Sequence, residues 1–230
     1  LGNSPSGITP EFDKLSQDGV LFKNFFASGL RTNRGLVSVL CSFPSQTGKS
    51  IIKRMVGQKS FFSLPRILQE RGYDTSFIYG GDLDFDNMRG FLRTNGVKHF
   101  IGIEDFPKEI HTSKWGVSDV VLFDKTLAYM DSLQEPFMTN IMTLTNHEPL
   151  EDVPEKYKIL TEKDHYQYKY LNAYHYSDYA LGYFFDKIKG KKYFENTIFV
   201  LVADHGRNRH QSLDIDWKRF HIPLLIYSPA

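Results

Sequence analysis

The chain has a single cysteine, Cys41, among 230 residues. No disulfide can form within it, and a cysteine-rich zinc site is excluded. It also lacks charge of one sign: 28 lysines and arginines stand against 27 aspartates and glutamates, a formal net charge of +1. Without a basic face there is no electrostatic footprint for a nucleic-acid backbone, which removes nucleic acid from the expected partners. Long apolar runs are missing too; the longest are of strand length, far below the ~20 residues needed to cross a bilayer. No secretory leader, internal repeat, low-complexity segment or linker-like stretch is visible. The opening Leu1-Gly2-Asn3-Ser4-Pro5-Ser6-Gly7 reads as a loop, and the apolar run before Ala230 needs neighbours on both faces, so the chain reads as an internal segment of a longer protein.

What is present suits one large α/β domain. The composition is 41% hydrophobic and 15% aromatic, with 19 Phe and 13 Tyr, enough for a rigid packed interior. Strand-like runs alternate with helical patterns, the signature of a mostly parallel sheet covered by helices. Thr9-Pro10 predicts a helix start with Thr9 as N-cap, and Gly19 its end. Strands are expected at 20–26, 75–79 and 137–145. Helices are expected just after Thr32, at 63–70 with Gly72 as the stop, at 118–133 capped by Ser118, and at 163–189. In the last of these, Asp178 interrupts an apolar stripe and is expected to make buried hydrogen bonds. The unbroken apolar run at 197–203 predicts a central parallel strand buried on both faces.

Reactive residues follow the strands. Gly29-Leu30-Arg31-Thr32-Asn33-Arg34-Gly35 comes after the first, Gly80-Gly81-Asp82 after the second, Asn146-His147-Glu148 after the third, and Asp204-His205-Gly206-Arg207 after the fourth. In open α/β sheets ligands bind beyond the carboxyl ends of the strands, so parallel strands would gather all four sets on one rim. Asp204 and His205 offer a carboxylate oxygen and an imidazole nitrogen, a donor pair suited to zinc, manganese or a similar divalent ion. Alone, the pair also reads as a capped loop with an exposed histidine. Thr32 sits between two glycines before a helix start, where free backbone amides favour phosphate. Its hydroxyl needs a base or a metal to become a nucleophile, and the bland alternative is a simple N-cap. Arg31 and Arg34 can neutralise phosphate oxygens. His147 can donate to a phosphate or protonate a leaving oxygen. Asp82 and Arg89 are candidate binders of a hydroxyl and a phosphate, with a surface ion pair as the alternative. Cys41 lies in an apolar stretch and reads as a buried small hydrophobe. His210 and His221 lie near the site in sequence, and His221, at the amino end of the last strand, is the less suitable ligand.

Residues 9–15 and 19–27 resemble the opening of sulfatase-superfamily enzymes. Gly29 to Leu36 with Ser42-Phe43-Pro44, Tyr79-Gly80-Gly81-Asp82 through Met88-Arg89, Leu144-Thr145-Asn146-His147 and Val202-Ala203-Asp204-His205-Gly206 resemble, in order, the lipoteichoic acid synthase and phosphoglycerol transferase branch. The resemblance covers essentially the whole chain and implies an alkaline-phosphatase-like α/β/α sandwich, with residues 1–230 as a single catalytic domain truncated at both ends. It implies that Thr32 attacks the phosphodiester of a phospholipid head group, typically phosphatidylglycerol, and also ligates the metal. Asp204 and His205 complete a site usually holding Mn2+, with Mg2+ or Zn2+ as alternatives, and Asp82, Arg89 and His147 hold glycerol-phosphate. The acceptor is a glycan or glycerol-phosphate hydroxyl, or water. The resemblance further implies an extracytoplasmic domain of a bacterial inner-membrane protein, anchored by segments outside this chain. The branch's remaining metal ligand, a glutamate, falls before Leu1, and Gly80 stands where lipoteichoic acid synthases carry a substrate-binding histidine. Sulfatases carry Cys or Ser followed by Pro-x-Arg at the nucleophile; Thr32-Asn33-Arg34 lacks that pattern, which argues against sulfatase activity. A phosphodiesterase or phosphatase on the same scaffold, or a noncatalytic binding module, are the competing readings.

Overall fold

The structure is a computed structural model, describing residues 7–54, 59–150, 153–206 and 216–230. Its elements are, in order, α1 (Pro10–Leu15), β1 (Val20–Phe22), α2 (Thr32–Cys41), α3 (Leu64–Glu70), β2 (Asp74–Tyr79), α4 (Met88–Thr94), β3 (His99–Ile101), α5 (Asp119–Met130), β4 (Phe137–Met142), α6 (Tyr168–Ile188), β5 (Phe199–Val202) and β6 (Leu224–Tyr227). Short 3-10 turns, among them Trp217–Phe220, join them.

The strands form two three-stranded groups, β3-β2-β4 and β1-β6-β5. In the first, β2 pairs in parallel with both neighbours, Ser76 opposite His99 and Thr139. Side chains on β2 alternate between two layers. Phe77 and Tyr79 pack with Leu36, Leu40, Phe91 and Leu92 from α2 and α4, whereas Ile78 packs with Val117 and Leu122 at the start of α5. A second core joins Phe123 and Leu127 of α5 to Phe184, Phe185 and Ile188 of α6 and Leu225 of β6. Helices therefore cover both faces of β2, as an α/β/α arrangement requires.

The second group corrects one expectation. β5 pairs antiparallel with β6, which also pairs antiparallel with β1. An apolar run reports burial and carries no direction, so the expected parallel pairing of 197–203 does not follow from it. Burial is also one-sided. Phe199 packs on Phe185 at 5.0 Å between ring centroids, while Val200 is 57% exposed on the opposite face. No described element covers that face. Because β1 and β5 both oppose β6, they run in the same direction and their following loops leave from the same end.

Ends differ in detail. The strands expected to run to residues 26 and 145 stop at Phe22 and Met142, and α6 begins at Tyr168 rather than near 163. Thr9 makes no side-chain cap on α1. Asp178 of α6 does that work from a distance, accepting the Glu11 and Phe12 amides at 2.8 Å each. Ser118 makes no side-chain cap on α5, whereas Ser63 accepts from the Arg66 amide on α3.

Candidate active site

Thr32 is the first residue of α2, and Arg31, with extended backbone, occupies the N-cap. An arginine side chain has no acceptor, so α2 has no side-chain cap; the Arg34 amide donates to the Arg31 carbonyl at 2.9 Å, and the Thr32 and Asn33 amides open the helix ahead of it. That is the local arrangement in which a helix start takes an anion. Gly35, expected in the loop, lies inside the helix one turn beyond Thr32. A Cβ on it would fall 2.6 Å from the Asp204 carbonyl carbon and 2.7 Å from the Asp204 Cβ. Residues three apart share a helix face, so the face that carries Thr32 is the one packed directly on Asp204.

Asp204 and His205 follow β5. The His205 amide donates to Asp204 Oδ1 at 2.9 Å, and His205 Nδ1–H donates to the Gly206 carbonyl at 2.8 Å. The second bond fixes the tautomer and leaves Nε2 as a free donor atom for a metal, the usual arrangement behind a ligating histidine. Nε2 stands 3.7 Å from Asp204 Oδ2. Two donors of a tetrahedral ion lie about 3.3 Å apart, so this carboxylate–imidazole pair fits one divalent ion with little adjustment. Among the described residues no group of three His, Cys, Asp or Glu converges on a metal position. The Gly206 turn is closed from behind: a Cβ there would fall 2.8 Å from the Arg219 carbonyl carbon. The same 3-10 turn accepts the Ala27 amide through Phe220 O at 2.7 Å, joining the loop before Thr32 to the loop after β5.

Tyr79 links this end to the Asp82 loop. Burial, then Asp204, then Asp82 push its phenol up to about 12, so it stays neutral beside both carboxylates. Asp82 is exposed and accepts the Asp84 amide on Oδ1 at 2.8 Å. Asp86, held at φ 56°, accepts from Asn33 Nδ2 at 2.6 Å and pairs with Lys53, tying this segment to α2.

His147 is exposed on the loop after β4. Its Nδ1–H donates to the Glu148 carbonyl at 2.7 Å, and its ring meets the Trp115 ring edge-on at 4.6 Å. Trp115 Nε1–H donates to the same carbonyl at 2.7 Å. Nothing in the one-dimensional pattern singled Trp115 out, because the partners Phe85, His147 and Glu148 are 30 to 33 positions away.

The two other arginines are occupied. Arg34 donates to Ser45 Oγ and the Gly48 carbonyl at 2.6 Å each, and to the Gln46 carbonyl. Its guanidinium is hydrogen-bonded to the loop at 45–48. Arg89 bonds Asp84 at 3.2 Å and pairs with Glu104, the ion-pair alternative of its two readings. Arg31 is exposed at the mouth of α2. His221 donates through Nε2 to the Lys23 carbonyl at 2.7 Å, and His210 lies outside the described residues. Cys41 is buried, and burial raises its thiol to about 11, as a packing residue requires.

Comparison with known proteins gives the family and the fold. The Sulfatase family model matches residues 1–230. The solved structure of a protein in the alkaline phosphatase superfamily from Vibrio parahaemolyticus superposes with a TM-score of 0.86 at 36% identity, over 96% of this chain and 54% of that one. The lipoteichoic acid synthase-like YvgJ of Bacillus subtilis (strain 168) is 26% identical over 205 residues, 86% of this chain and 33% of that protein. Phosphoglycerol transferase I of Xanthomonas campestris pv. campestris (strain B100) is 27% identical over 243 residues, 96% of this chain and 34% of that protein. The chain spans about a third of the length of these curated relatives. The fold class is the α/β fold of the alkaline phosphatase superfamily.

Proposed function

The chain belongs to the sulfatase family, and from that premise we propose that it is the catalytic part of a metal-dependent transferase acting through Thr32. The group moved is of phosphoglycerol type, from a lipid head group to a glycan or glycerol-phosphate acceptor. The observation that carries this reading is the close approach of α2 to Asp204 at Gly35, which sets a nucleophile-bearing helix start against a carboxylate–imidazole donor pair. The names of the relatives support the phosphoglycerol group.

Asp204, His205 and the Thr32 hydroxyl would hold the divalent ion, Mn2+ first and Mg2+ or Zn2+ next. When bound, the ion supplies positive charge that favours the Thr32 alkoxide and offsets phosphoryl charge. As its alkoxide, Thr32 Oγ1 attacks phosphorus, the bond from phosphorus to the diacylglycerol oxygen breaks, and that oxygen leaves with a proton from the His147 imidazolium. An acceptor hydroxyl then attacks the threonyl phosphodiester and gives its proton to His147, and the bond from phosphorus to Oγ1 breaks to free Thr32 as the alkoxide. The first-turn amides of α2 and Arg31 face the phosphoryl oxygens, and Asp82 takes a glycerol hydroxyl. The residues 1–230 form part of one catalytic domain, which sits outside the cytoplasmic membrane and is anchored by segments beyond them. Among the described residues no helix is long and apolar enough to cross a membrane.

Hydrolysis is the second reading, favoured by the exposure of Asp82 and His147, which lets water compete as acceptor. Labelled phosphoglycerol donor separates the two: label on a glycan supports transfer, label released only as free glycerol-phosphate supports hydrolysis. Thr32→Ala should abolish both while the fold is kept. Turnover in that variant with Mn2+ present would exclude the mechanism.

A further inference from the structure

Asp119 is the most deeply buried carboxylate of the site's surroundings, 1% exposed, and the roles above do not use it. It opens α5, only a short run after Trp115. Its Oδ1 accepts the amides of Leu144 at 2.8 Å and Thr145 at 3.0 Å, and its Oδ2 accepts from Ser177 Oγ of α6 at 3.0 Å. Its own amide donates to Thr145 Oγ1 at 3.2 Å. Both carboxylate oxygens are therefore spent on the root of the loop that carries His147, and on the helix behind it. Burial raises this carboxyl, and hydrogen bonds from the Leu144 and Thr145 amides and from the Ser177 and Thr145 hydroxyls oppose the rise.

The residues just before Asp119 grip the other loop. The Val117 amide donates to the Gly80 carbonyl at 3.1 Å. Gly116, at φ +146°, lies so close that a Cβ would fall 2.8 Å from the Gly80 carbonyl carbon. At the outer end Trp115 shares the Glu148 carbonyl with His147 and meets its ring, while Glu148 itself accepts from the Tyr170 hydroxyl.

We propose that residues 115–119 are a positioning strut, in which Asp119 fixes the root of the His147 loop, Trp115 fixes the His147 ring, and Gly116-Val117 hold the Asp82 loop at a set distance from both. None of these side chains is needed at the reacting atoms; the strut sets where His147 Nε2 points. The inference rests on the place given to His147 in the reading above. A displacement of a catalytic group by roughly 1 Å costs about 100-fold in rate, so the effect is large although Asp119 touches no substrate.

The test uses the full-length protein with Mn2+ and a chromogenic phosphodiester, alongside 15N NMR of the His147 imidazole. In wild type the neutral ring should be the Nδ1–H tautomer, and the charged ring should carry its transferable proton on Nε2. Asp119→Ala should lower kcat by about 100-fold with KM within about threefold, and His147 should lose that single tautomer. Asp119→Asn, whose oxygen still accepts both amides, should restore the His147 spectrum and most of kcat. Trp115→Phe, at a half-buried position, keeps a ring and loses only the donor to Glu148; kcat should fall by about fivefold and His147 Nδ1–H should exchange faster. A folded Asp119→Ala with the wild-type His147 spectrum and kcat would overturn the strut. If that variant does not fold, an unchanged His147 spectrum in Trp115→Phe would do so. The spectrum decides the matter even if the protein proves inactive toward the phosphodiester, so failure here is separable from failure of the Thr32 mechanism.

Discussion

Gly35→Ala is the sharpest perturbation the structure offers. In an ordinary helix interior the change is favourable by about 1 kcal/mol, because alanine costs less backbone entropy. Here the new Cβ would sit 2.6 Å from the Asp204 carbonyl carbon, and ordinary contact begins at 3.4 Å. The obstructing atoms are backbone atoms at the end of β5, which cannot swing aside as a flexible side chain can. Either α2 or the Asp204 loop must retreat by roughly 1 Å, with an overpacking cost of about 1–3 kcal/mol. Propensity and strain then nearly cancel or leave a net loss of up to about 2 kcal/mol, read as a lowered denaturation midpoint. Activity should suffer more than stability. Thr32 moves with its helix away from Asp204 and His205, and a loss of about 100-fold in kcat is expected at that displacement. Chemical denaturation and steady-state turnover on the same preparation measure both. A variant that gains about 1 kcal/mol and keeps wild-type kcat would refute the close approach of α2 to Asp204.

Other expectations follow from single contacts. Asp204→Asn should weaken Mn2+ binding by at least about 100-fold in calorimetry, since even hydrogen-bond partners of ligands are worth 10–100-fold; unchanged affinity removes Asp204 from the donor set. Cys41, with its thiol raised to about 11 by burial, carries almost no thiolate near neutral pH. It should resist a disulfide reagent at pH 8 and react quickly once the protein is denatured in urea. Rapid labelling of the native protein would show that Cys41 is not the packing residue described.

Much of the scaffold was legible because it is written in local pattern. The β2 run at 75–79 and the α6 periodicity through Leu171, Tyr174, Leu181, Phe185 and Ile188 each appear in the structure, with Leu171, Phe185 and Ile188 buried and Tyr174 and Leu181 half-buried. The loops after β1, β2, β4 and β5 could be found as reactive residues placed just beyond apolar runs. What stayed hidden depends on pairs distant in sequence. The direction of β5 is set by its partner β6, which no feature of 197–203 encodes. Gly35 looks like a loop glycine until Asp204 is known to lie against it. Arg34 and Arg89 carry the charge that a phosphate needs, yet whether it is spent on Ser45, Gly48, Asp84 and Glu104 depends on loop paths that composition does not reveal. Asp119 and Trp115 escaped notice for the same reason, since an ordinary helix start and a lone tryptophan have no chemical spacing to betray them.

The claim on which the mechanism turns is that Thr32 becomes covalently attached to the phosphorus of the donor. It is tested most directly by rapidly quenching the Mn2+-loaded protein with phosphatidylglycerol and mapping adducts by peptide mass spectrometry. The mechanism predicts a phosphoglyceryl group on Thr32, absent from Asp204→Asn and discharged by acceptor or water. Steady turnover with Thr32 unmodified at every quench time, or an adduct on another side chain, would contradict it.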